Sequence, residues 1–490
     1  MSIDARTTLA SGHRVRPVLQ RLVVPMALMA GDAASLAFGK CVLLPPLQSQ
    51  ILLYRGQGPG MHFSPTGVDP FWLLALICIG LSWVKGQYRK RRLIWEDGRE
   101  LASVVFWLMV VHYALMLSIG QGMVAVWRVP AAWVAALGAT LAVRAALKSG
   151  LYRAGLYREP TIIVGTGGNA RQTALTVRQH RSLGYELRAF VHTGSEPVEA
   201  ETAAAGVPVI AVPGDLGELV VGLGYPHVIV ALEAEQQDHL QEVIDHLAFR
   251  TSIQVVPAIR GLPLYGMEMS HVFGRELLML RVRNNLARPH LKMSKRALDL
   301  AAAGFLLVLL APLLVVLAVL VGRDGPVVFR HQRVGRNGRP FGCLKFRTMV
   351  VDAQAALEGY LAAHPEAREE WEQTRKIKND PRITAVGHFL RRTSLDELPQ
   401  LFNVLAGDMS LVGPRPVVHD ELAYYGSQVG YYCAVRPGIT GLWQVSGRND
   451  VDYGFRVFLD AWYVKNWSLW YDIVILLRTA VVVFSRRGAY

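Results

Sequence analysis

The sequence predicts a membrane protein of mixed class, α plus α/β. Its expected parts are a four-helix transmembrane bundle, a small doubly wound α/β domain, and a polar C-terminal domain. A re-entrant helix carries the C-terminal domain, and interfacial amphipathic helices border it. Three observations predict this. Of 490 residues, 52% are hydrophobic and only 18% charged, too apolar for an ordinary soluble protein. Mean hydropathy is +0.26. The first third carries four apolar runs whose flanks alternate between basic and nearly uncharged, and a strand–helix alternation with a glycine turn follows them.

The runs lie near Leu22–Leu44, Phe71–Val84, Leu101–Ile119 and Val129–Leu147. Each approaches the ~20 residues that cross a bilayer, the second only with help from its flanks. Arg6, Arg14, Arg16 and Arg21 precede the first run. Lys85, Arg89, Lys90, Arg91 and Arg92 follow the second, and Lys148, Arg153 and Arg158 follow the fourth. The other connections carry only Arg55 and Arg128. The positive-inside rule then places both ends of the bundle in the cytosol. A buried soluble helical bundle would not require this alternation. The first apolar run has no cleavage pattern and reads as a retained helix.

From about Thr161 to Ala258 the chain alternates strand-like and helix-like segments. Strands are expected at Thr161–Val164, Leu187–His192, Val207–Ala211, His227–Leu232 and Ile253–Val256, with a helix to about Gln179. This is a Rossmann-like domain. Its turn, Gly165-Thr-Gly167-Gly168-Asn-Ala170, follows a strand and opens a helix, the setting of a phosphate-binding turn. The acidic residue that would hold a ribose is missing, because the second strand ends in His192-Thr193-Gly194. The glycines serve either a dinucleotide or tight strand–helix packing. Dehydrogenase chemistry of the Tyr-xxx-Lys kind is excluded, since no lysine occurs between Lys148 and Lys292.

A fifth apolar run spans about Leu298 to Val321 and contains Pro312, which removes a backbone donor and kinks a helix. Both flanks are basic: Lys292, Lys295 and Arg296 before, Arg323, Arg330 and Arg333 after. A helix that enters, bends at Ala311-Pro312 and leaves on the same side keeps both flanks inside. The chain is then polar to about Asp460. Trp462, Tyr463, Trp467, Trp470 and Tyr471 punctuate a final apolar pattern through Phe484, expected as helices lying at the headgroup level. Core packing of these aromatics is the other reading. The expected division is 1–150 for the bundle, 155–260 for the α/β domain, 261–290 for a linker and 291–490 for the C-terminal domain, with the re-entrant helix at 295–321.

Formal net charge is +14. A nucleic-acid binder would gather such charge in one stripe. Here Lys and Arg stand beside apolar runs, as at an anionic membrane surface, so the expected partner is the lipid bilayer and not nucleic acid. Cys41, Cys78, Cys343 and Cys433 form no CxxC pair and lie near no histidine at ligand spacing, which argues against a disulfide framework or zinc site.

The chemistry concentrates in Arg391-Arg392-Thr393-Ser394-Leu395-Asp396-Glu397-Leu398-Pro399-Gln400. An isolated Asp-Glu doublet is ordinarily a solvated helix end. Lys345-Phe346-Arg347-Thr348-Met349 and Gly413-Pro414-Arg415-Pro416 bring further cations and rigid turns. Lys345, Arg392 and Arg415 can neutralise a diphosphate. An ionised Asp396 is a competent nucleophile toward phosphorus, and Glu397 can help hold Mg²⁺.

Several motifs then align with one family. They are Lys295-Arg296…Asp299, the Pro312 break, His331-Gln-Arg-Val-Gly-Arg336, Lys345 to Met349, Lys378-Asn-Asp-Pro-Arg-Ile-Thr384, Thr393 to Gln400, and Pro437-Gly-Ile-Thr-Gly-Leu-Trp-Gln-Val-Ser-Gly447. Together they resemble the monotopic polyprenyl-phosphate phosphoglycosyl transferases over about Lys295 to Tyr490. The upstream helices, the α/β domain, Arg260-Gly-Leu-Pro-Leu-Tyr265 and the Gly488-Ala-Tyr490 ending resemble the long bacterial members that start O-antigen, capsule or exopolysaccharide synthesis. The resemblance implies a two-step reaction. Asp396 attacks a UDP-sugar and releases UMP. Undecaprenyl phosphate then takes the sugar phosphate, with galactose favoured over glucose. It further implies Mg²⁺ at Asp396 and Glu397, phosphate contacts from Lys345, Arg347, Arg392 and Arg415, a homodimer, and a bacterial inner membrane location with the site facing the cytoplasm. Where some members have Ser-Pro at the helix break, this chain has Ala311-Pro312. Two rivals remain. One is a glycosyltransferase that releases UDP and uses Asp450-Val451-Asp452 as a metal triplet. The other is a membrane regulator without chemistry, which the Asp396-Glu397 cluster argues against.

Overall fold

The computed structural model describes residues 16–43, 70–118, 122–192, 206–211, 216–223, 227–247, 253–258, 267–271, 278–281, 285–323, 325–364, 368, 380–446 and 452–484. Arg6, Arg14, Arg55, Thr193-Gly194, the 260–265 motif, Lys378-Asn379, Asp450-Val451 and residues 488–490 lie outside the described residues. The chain divides into two compact units, Met1–Arg260 and Gly261–Tyr490.

The first unit begins with helices α1 (Arg16–Leu43), α2 (Pro70–Val84), α3 (Ile94–Ser118) and α4 (Gly122–Arg153). Leu22–Cys41, Ile94–Ser118 and Val126–Arg153 are long and apolar enough to cross a membrane. Helix α2 has 15 residues, about 22 Å at helical rise, short of a ~30 Å hydrocarbon core. The fourth helix of spanning length among the described residues is Pro289–Gly322, in the second unit. In the bundle, Phe71, Leu101, Ala132, Trp133 and Ala136 form the core, while Leu76, Trp107 and Val134 face outward. A Cβ at Gly39 would lie 2.7 Å from Ala132 O and from Ala136 Cβ, so a small residue sets the close crossing of α1 and α4. Arg144 falls within the apolar run expected at 129–147. It is buried and pairs with Asp32 at 2.5 Å, and Lys148 pairs with Asp97 at 2.6 Å. Charges at such positions persist only when paired.

The α/β domain follows, with β1 (Glu159–Val164), α5 (Gly168–Gln179), β2 (Tyr185–His192), β3 (Val209–Ala211), α6 (Leu216–Gly222), β4 (His227–Val230), α7 (Gln237–Leu247) and β5 (Ile253–Val255). The five strands are parallel in the order β3-β2-β1-β4-β5. Near-continuous apolar runs such as Ile162-Ile163-Val164 are buried on both faces, as a parallel sheet requires. Arg91, after α2, donates to the carbonyls of Tyr157, Leu183 and Gly184 and pairs with Glu159, tying this domain to the bundle.

The second unit opens with a hairpin, β6 (Glu268–His271) and β7 (Leu278–Arg281), within the stretch expected to be a linker. Helix α8 (Pro289–Gly322) runs 34 residues with Pro312 inside it. Helical structure continues through Ala311-Pro312, although the proline leaves the Val308 carbonyl without its usual donor. The hairpin β8 (Val328–Val334) and β9 (Pro340–Phe346) follows, then α9 (Ala353–Ala363), α10 (Ala385–Thr393), α11 (Gln400–Ala406), β10 (Ser410–Val412), α12 (Val429–Ala434), β11 (Gly438–Thr440), α13 (Leu442–Val445), α14 (Tyr453–Lys465) and α15 (Leu469–Phe484).

Both ends of α8 pack on this polar domain. Arg296 donates to the carbonyls of Val404 and Leu405, and Ala303 is buried with Leu401, Val404 and Met409. At the other end, Leu317 and Val321 pack with Phe346 and Leu390. One face of the middle is bare: Phe305, Val308 and Val315 are each more than 60% exposed.

The C-terminal aromatics differ from the expectation of a headgroup belt. Tyr463 and Trp467 are buried. The reason is Asp472, also buried, which accepts from Tyr463 Oη at 2.7 Å, Trp467 Nε1 at 3.1 Å and Lys295 Nζ at 2.7 Å. A buried carboxylate needs such donors, and the aromatics supply them. Trp462, Trp470 and Tyr471 remain half-buried.

Candidate active site

Helix α10 starts at Thr384, whose Oγ1 accepts from Gly387 N–H at 2.9 Å. Gly387 packs directly on the Thr348 carbonyl, where a Cβ would collide. The helix ends at Ser394, which adopts left-handed backbone at φ 57°. That reversal starts a short 3-10 turn, Leu395–Glu397, and projects Asp396 and Glu397 from one edge. Asp396 keeps 14% of its side chain exposed and Glu397 35%, so both are reachable and neither is freely solvated.

Lys345 faces the pair from β9. Its Nζ donates to Glu397 Oε1 at 2.7 Å and lies 3.6 Å from Asp396 Oδ2. Its position is held by Asn403 on α11, which accepts from Leu344 N–H and donates to Gly342 O, both at 2.9 Å. Burial pushes the Asp396 carboxyl above its ordinary range. Lys345 opposes that shift, and the neighbouring Glu397 adds to it. Burial likewise holds His331 below its usual value, helped by Arg333 and Lys345. The buried Cys343 thiol is pushed up to about 11, which keeps it unreactive.

Asp396, Glu397, Lys345 and His331 line one cavity of ≈ 1270 Å³. One wall is cationic, with Arg330, Arg333, Lys345, Arg347 and Arg391. Another is apolar, with Leu306 and Leu310 from α8 and Leu476 and Val482 from α15. Arg347 donates to the Val321 carbonyl, and its Nη1 is buried with no hydrogen-bond acceptor. Arg391 donates through Nε to Thr348 Oγ1 at 2.9 Å.

The structure brings together Asp396, Glu397, Lys345 and Arg347 among the residues singled out from sequence. Arg392 is exposed and does not line the cavity, whereas its neighbour Arg391 does. Helix phase is the signal, since Arg391 stands four residues after the buried Gly387 and so shares its inward face. Arg415 is outside the lining, but its guanidinium lies over the ring of Trp443, which lines it, and it feels the charge of Glu397. Pro312 is exposed on α8 and does not line the cavity. Asn403 and Asp472 were not singled out by sequence. A polar residue beside the apolar Leu401 and Val404 is the only trace that Asn403 leaves. Asp452, of the acidic triplet, accepts from Gly454 N–H and caps α14, an ordinary structural role.

Among the described residues, no group of three His, Cys, Asp or Glu is placed to hold a metal. The Asp396–Glu397 pair is still a suitable donor set for Mg²⁺, which takes one or two protein carboxylates and fills its remaining positions with water and substrate phosphate. Lys345 shows that a cation is accommodated against both carboxylates.

The profile of the bacterial sugar transferase family matches residues 290–486. A UDP-galactose-lipid carrier transferase of Erwinia amylovora is 43% identical over 422 residues, covering 85% of this chain and 87% of the relative. An undecaprenyl-phosphate galactose phosphotransferase of Salmonella typhimurium is 43% identical over 432 residues, 87% of this chain and 89% of that one. A UDP-glucose:undecaprenyl-phosphate glucose-1-phosphate transferase of Xanthomonas campestris pv. campestris is 30% identical over 439 residues, 85% and 86% of the two chains. With matches this long on both sides, the chain belongs to the bacterial sugar transferase family and is a transferase enzyme.

Proposed function

We propose that this protein transfers galactose 1-phosphate from UDP-galactose to undecaprenyl phosphate, releasing UMP and starting an O-antigen, capsule or exopolysaccharide. The observation that carries the reading is the cavity itself. It joins the Asp396-Glu397 pair and a cationic wall to an apolar wall contributed by a membrane-type helix. A substrate with a diphosphate at one end and a polyprenyl chain at the other needs both. Relatives named for galactose are 43% identical over 85% and 87% of this chain, whereas those named for glucose are 30% identical over 85% of it or 41% identical over only 44%, which favours galactose.

In the first step Asp396 attacks the β-phosphorus of the UDP-sugar. The bond from that phosphorus to the bridging oxygen breaks, and UMP leaves with the electron pair. The sugar phosphate stays on Asp396 as an acyl phosphate. In the second step an oxygen of undecaprenyl phosphate attacks the same phosphorus, and the Asp396 carboxylate leaves. Lys345, Arg347 and Arg391 stabilise charge on the transferring phosphoryl group, with Arg415 and Arg392 at the margin. Asp396 and Glu397 would hold Mg²⁺, which, when bound, supplies further neutralisation of diphosphate charge. Asp396 must be ionised to attack, and Lys345 favours that form.

Helix α8 is proposed to enter the membrane and return to the cytosolic side. Both ends of the helix pack on the same polar domain, and Pro312, which removes a backbone donor, stands between them where the helix would bend. Basic flanks on both sides support the same placement, at the inner membrane with the site toward the cytoplasm. The test is incubation of the purified full chain with undecaprenyl phosphate and either UDP-galactose or UDP-glucose. UMP release with galactose is expected. UDP release would point to sugar transfer instead, and turnover with glucose alone would overturn the sugar assignment.

A further inference from the structure

The α/β domain carries a second feature suited to anions, independent of the transferase site. Beyond β1 the chain makes the turn Gly165-Thr166-Gly167 and enters α5 at Gly168. With the order β3-β2-β1-β4-β5, the crevice between β1 and β4 at their carboxyl ends is where an open parallel sheet of this kind receives a ligand. The first N–H groups of α5 point into it and favour an anion.

The crevice contains Glu233, three residues past the end of β4. Its Oε1 accepts from the Asn169 N–H at 2.6 Å. The side chain lies flat over Gly167, where an added Cβ would come within 2.8 Å of Oε1 and 2.9 Å of Cγ. Its backbone is fixed, because the Glu233 N–H donates to Gln236 Oε1 at 3.0 Å. Asn169 holds the other side, its Nδ2 donating to the carbonyls of Leu232 and Val256, both at 3.0 Å. Gly165 has a packing role, since a Cβ there would be 2.5 Å from Ala231 O. Across the crevice, β2 ends in His192 and not in a ribose-binding acid.

We infer that Glu233 occupies the anion seat of this turn, so that the α/β domain holds its own carboxylate where a dinucleotide-binding domain holds a pyrophosphate. The second glycine is needed to let Glu233 in, and an incoming nucleotide phosphate meets a fixed negative charge. Hydrogen exchange followed by mass spectrometry tests this on the full chain in detergent, reading peptides that span Gly165–Thr176. Inorganic phosphate and NADH are the probes, with chloride matching the ionic strength. Neither probe is expected to change exchange in the unmodified protein. Glu233→Ala is expected to exchange roughly tenfold faster at the start of α5, as a charge-assisted hydrogen bond is lost, and phosphate should slow it again. Glu233→Gln keeps the shape and an acceptor oxygen, and serves if the alanine variant does not fold. Its exchange should fall between the two. Protection of the unmodified peptides by NADH or phosphate would overturn the inference. So would a Glu233→Ala protein that exchanges like the original, or one that phosphate fails to protect.

Discussion

The turn after β1 and the cavity beside Asp396 are both suited to phosphate, and they differ in what supplies the anion. In the turn, one carboxylate from the neighbouring strand end satisfies the backbone N–H at the helix start. Five full cations line the cavity with two carboxylates, and the lining keeps positive charge after Asp396, Glu397 and the Glu421 that pairs with Arg333 are counted. The first arrangement is complete by itself. The second is completed by a substrate diphosphate. A glycine turn before a helix therefore states only that backbone comes close to something. The charge left over after internal pairing indicates whether that something arrives from outside.

The largest expected effect is at the reacting atom. Asp396→Asn should lower UMP release by on the order of 10³-fold or more, since a carboxamide is not a nucleophile here. Next is Lys345→Ala. Turnover measured across pH should fall on the order of 10²-fold. Its acid limb should also move to higher pH, because the cation that opposes the upward shift of Asp396 is gone. In the unmodified protein that limb should already lie above the ordinary carboxylate value. An acid limb at or below that value would contradict the burial argument.

A smaller effect separates two neighbours. Arg391→Ala should reduce kcat/KM by roughly 10-fold or more, the worth of a charged hydrogen bond. Arg392→Ala should change it by only about two-fold, as for an exposed charge. The reverse order would return the phosphate contact to the residue that sequence favoured. The smallest effect is at the turn, where Glu233→Ala should leave UMP release within about two-fold, because that carboxylate has no part in the reaction.

Much of this was legible beforehand. The parallel strands showed in runs such as Ile162-Ile163-Val164, because burial on both faces leaves little choice of side chain. The Asp396-Glu397 doublet stood out because Arg391 and Arg392 precede it and the 345–349 and 413–416 motifs bring further cations. Other parts depend on contacts far apart in the chain. Nothing local to Trp467 reveals that it donates to a buried Asp472, or that Lys295 reaches the same carboxylate from α8. Arg144 disappeared into an apolar run because its partner, Asp32, lies 112 positions away. Choosing Arg391 over Arg392 needs the rotational phase of α10, which Gly387 sets by packing on Thr348. The filling of the glycine turn depended on a glutamate some 64 residues downstream.

Binding of a UDP-sugar in the positively charged cavity and capture of its phosphosugar by Asp396 can be measured together. The full chain is mixed with UDP-galactose in the absence of undecaprenyl phosphate, quenched, and analysed by mass spectrometry alongside nucleotide release. A hexose-phosphate adduct is expected on the peptide containing Asp396, with a burst of UMP no larger than the amount of enzyme. Release of UMP on adding undecaprenyl phosphate, with no adduct and no burst beforehand, would contradict capture by Asp396.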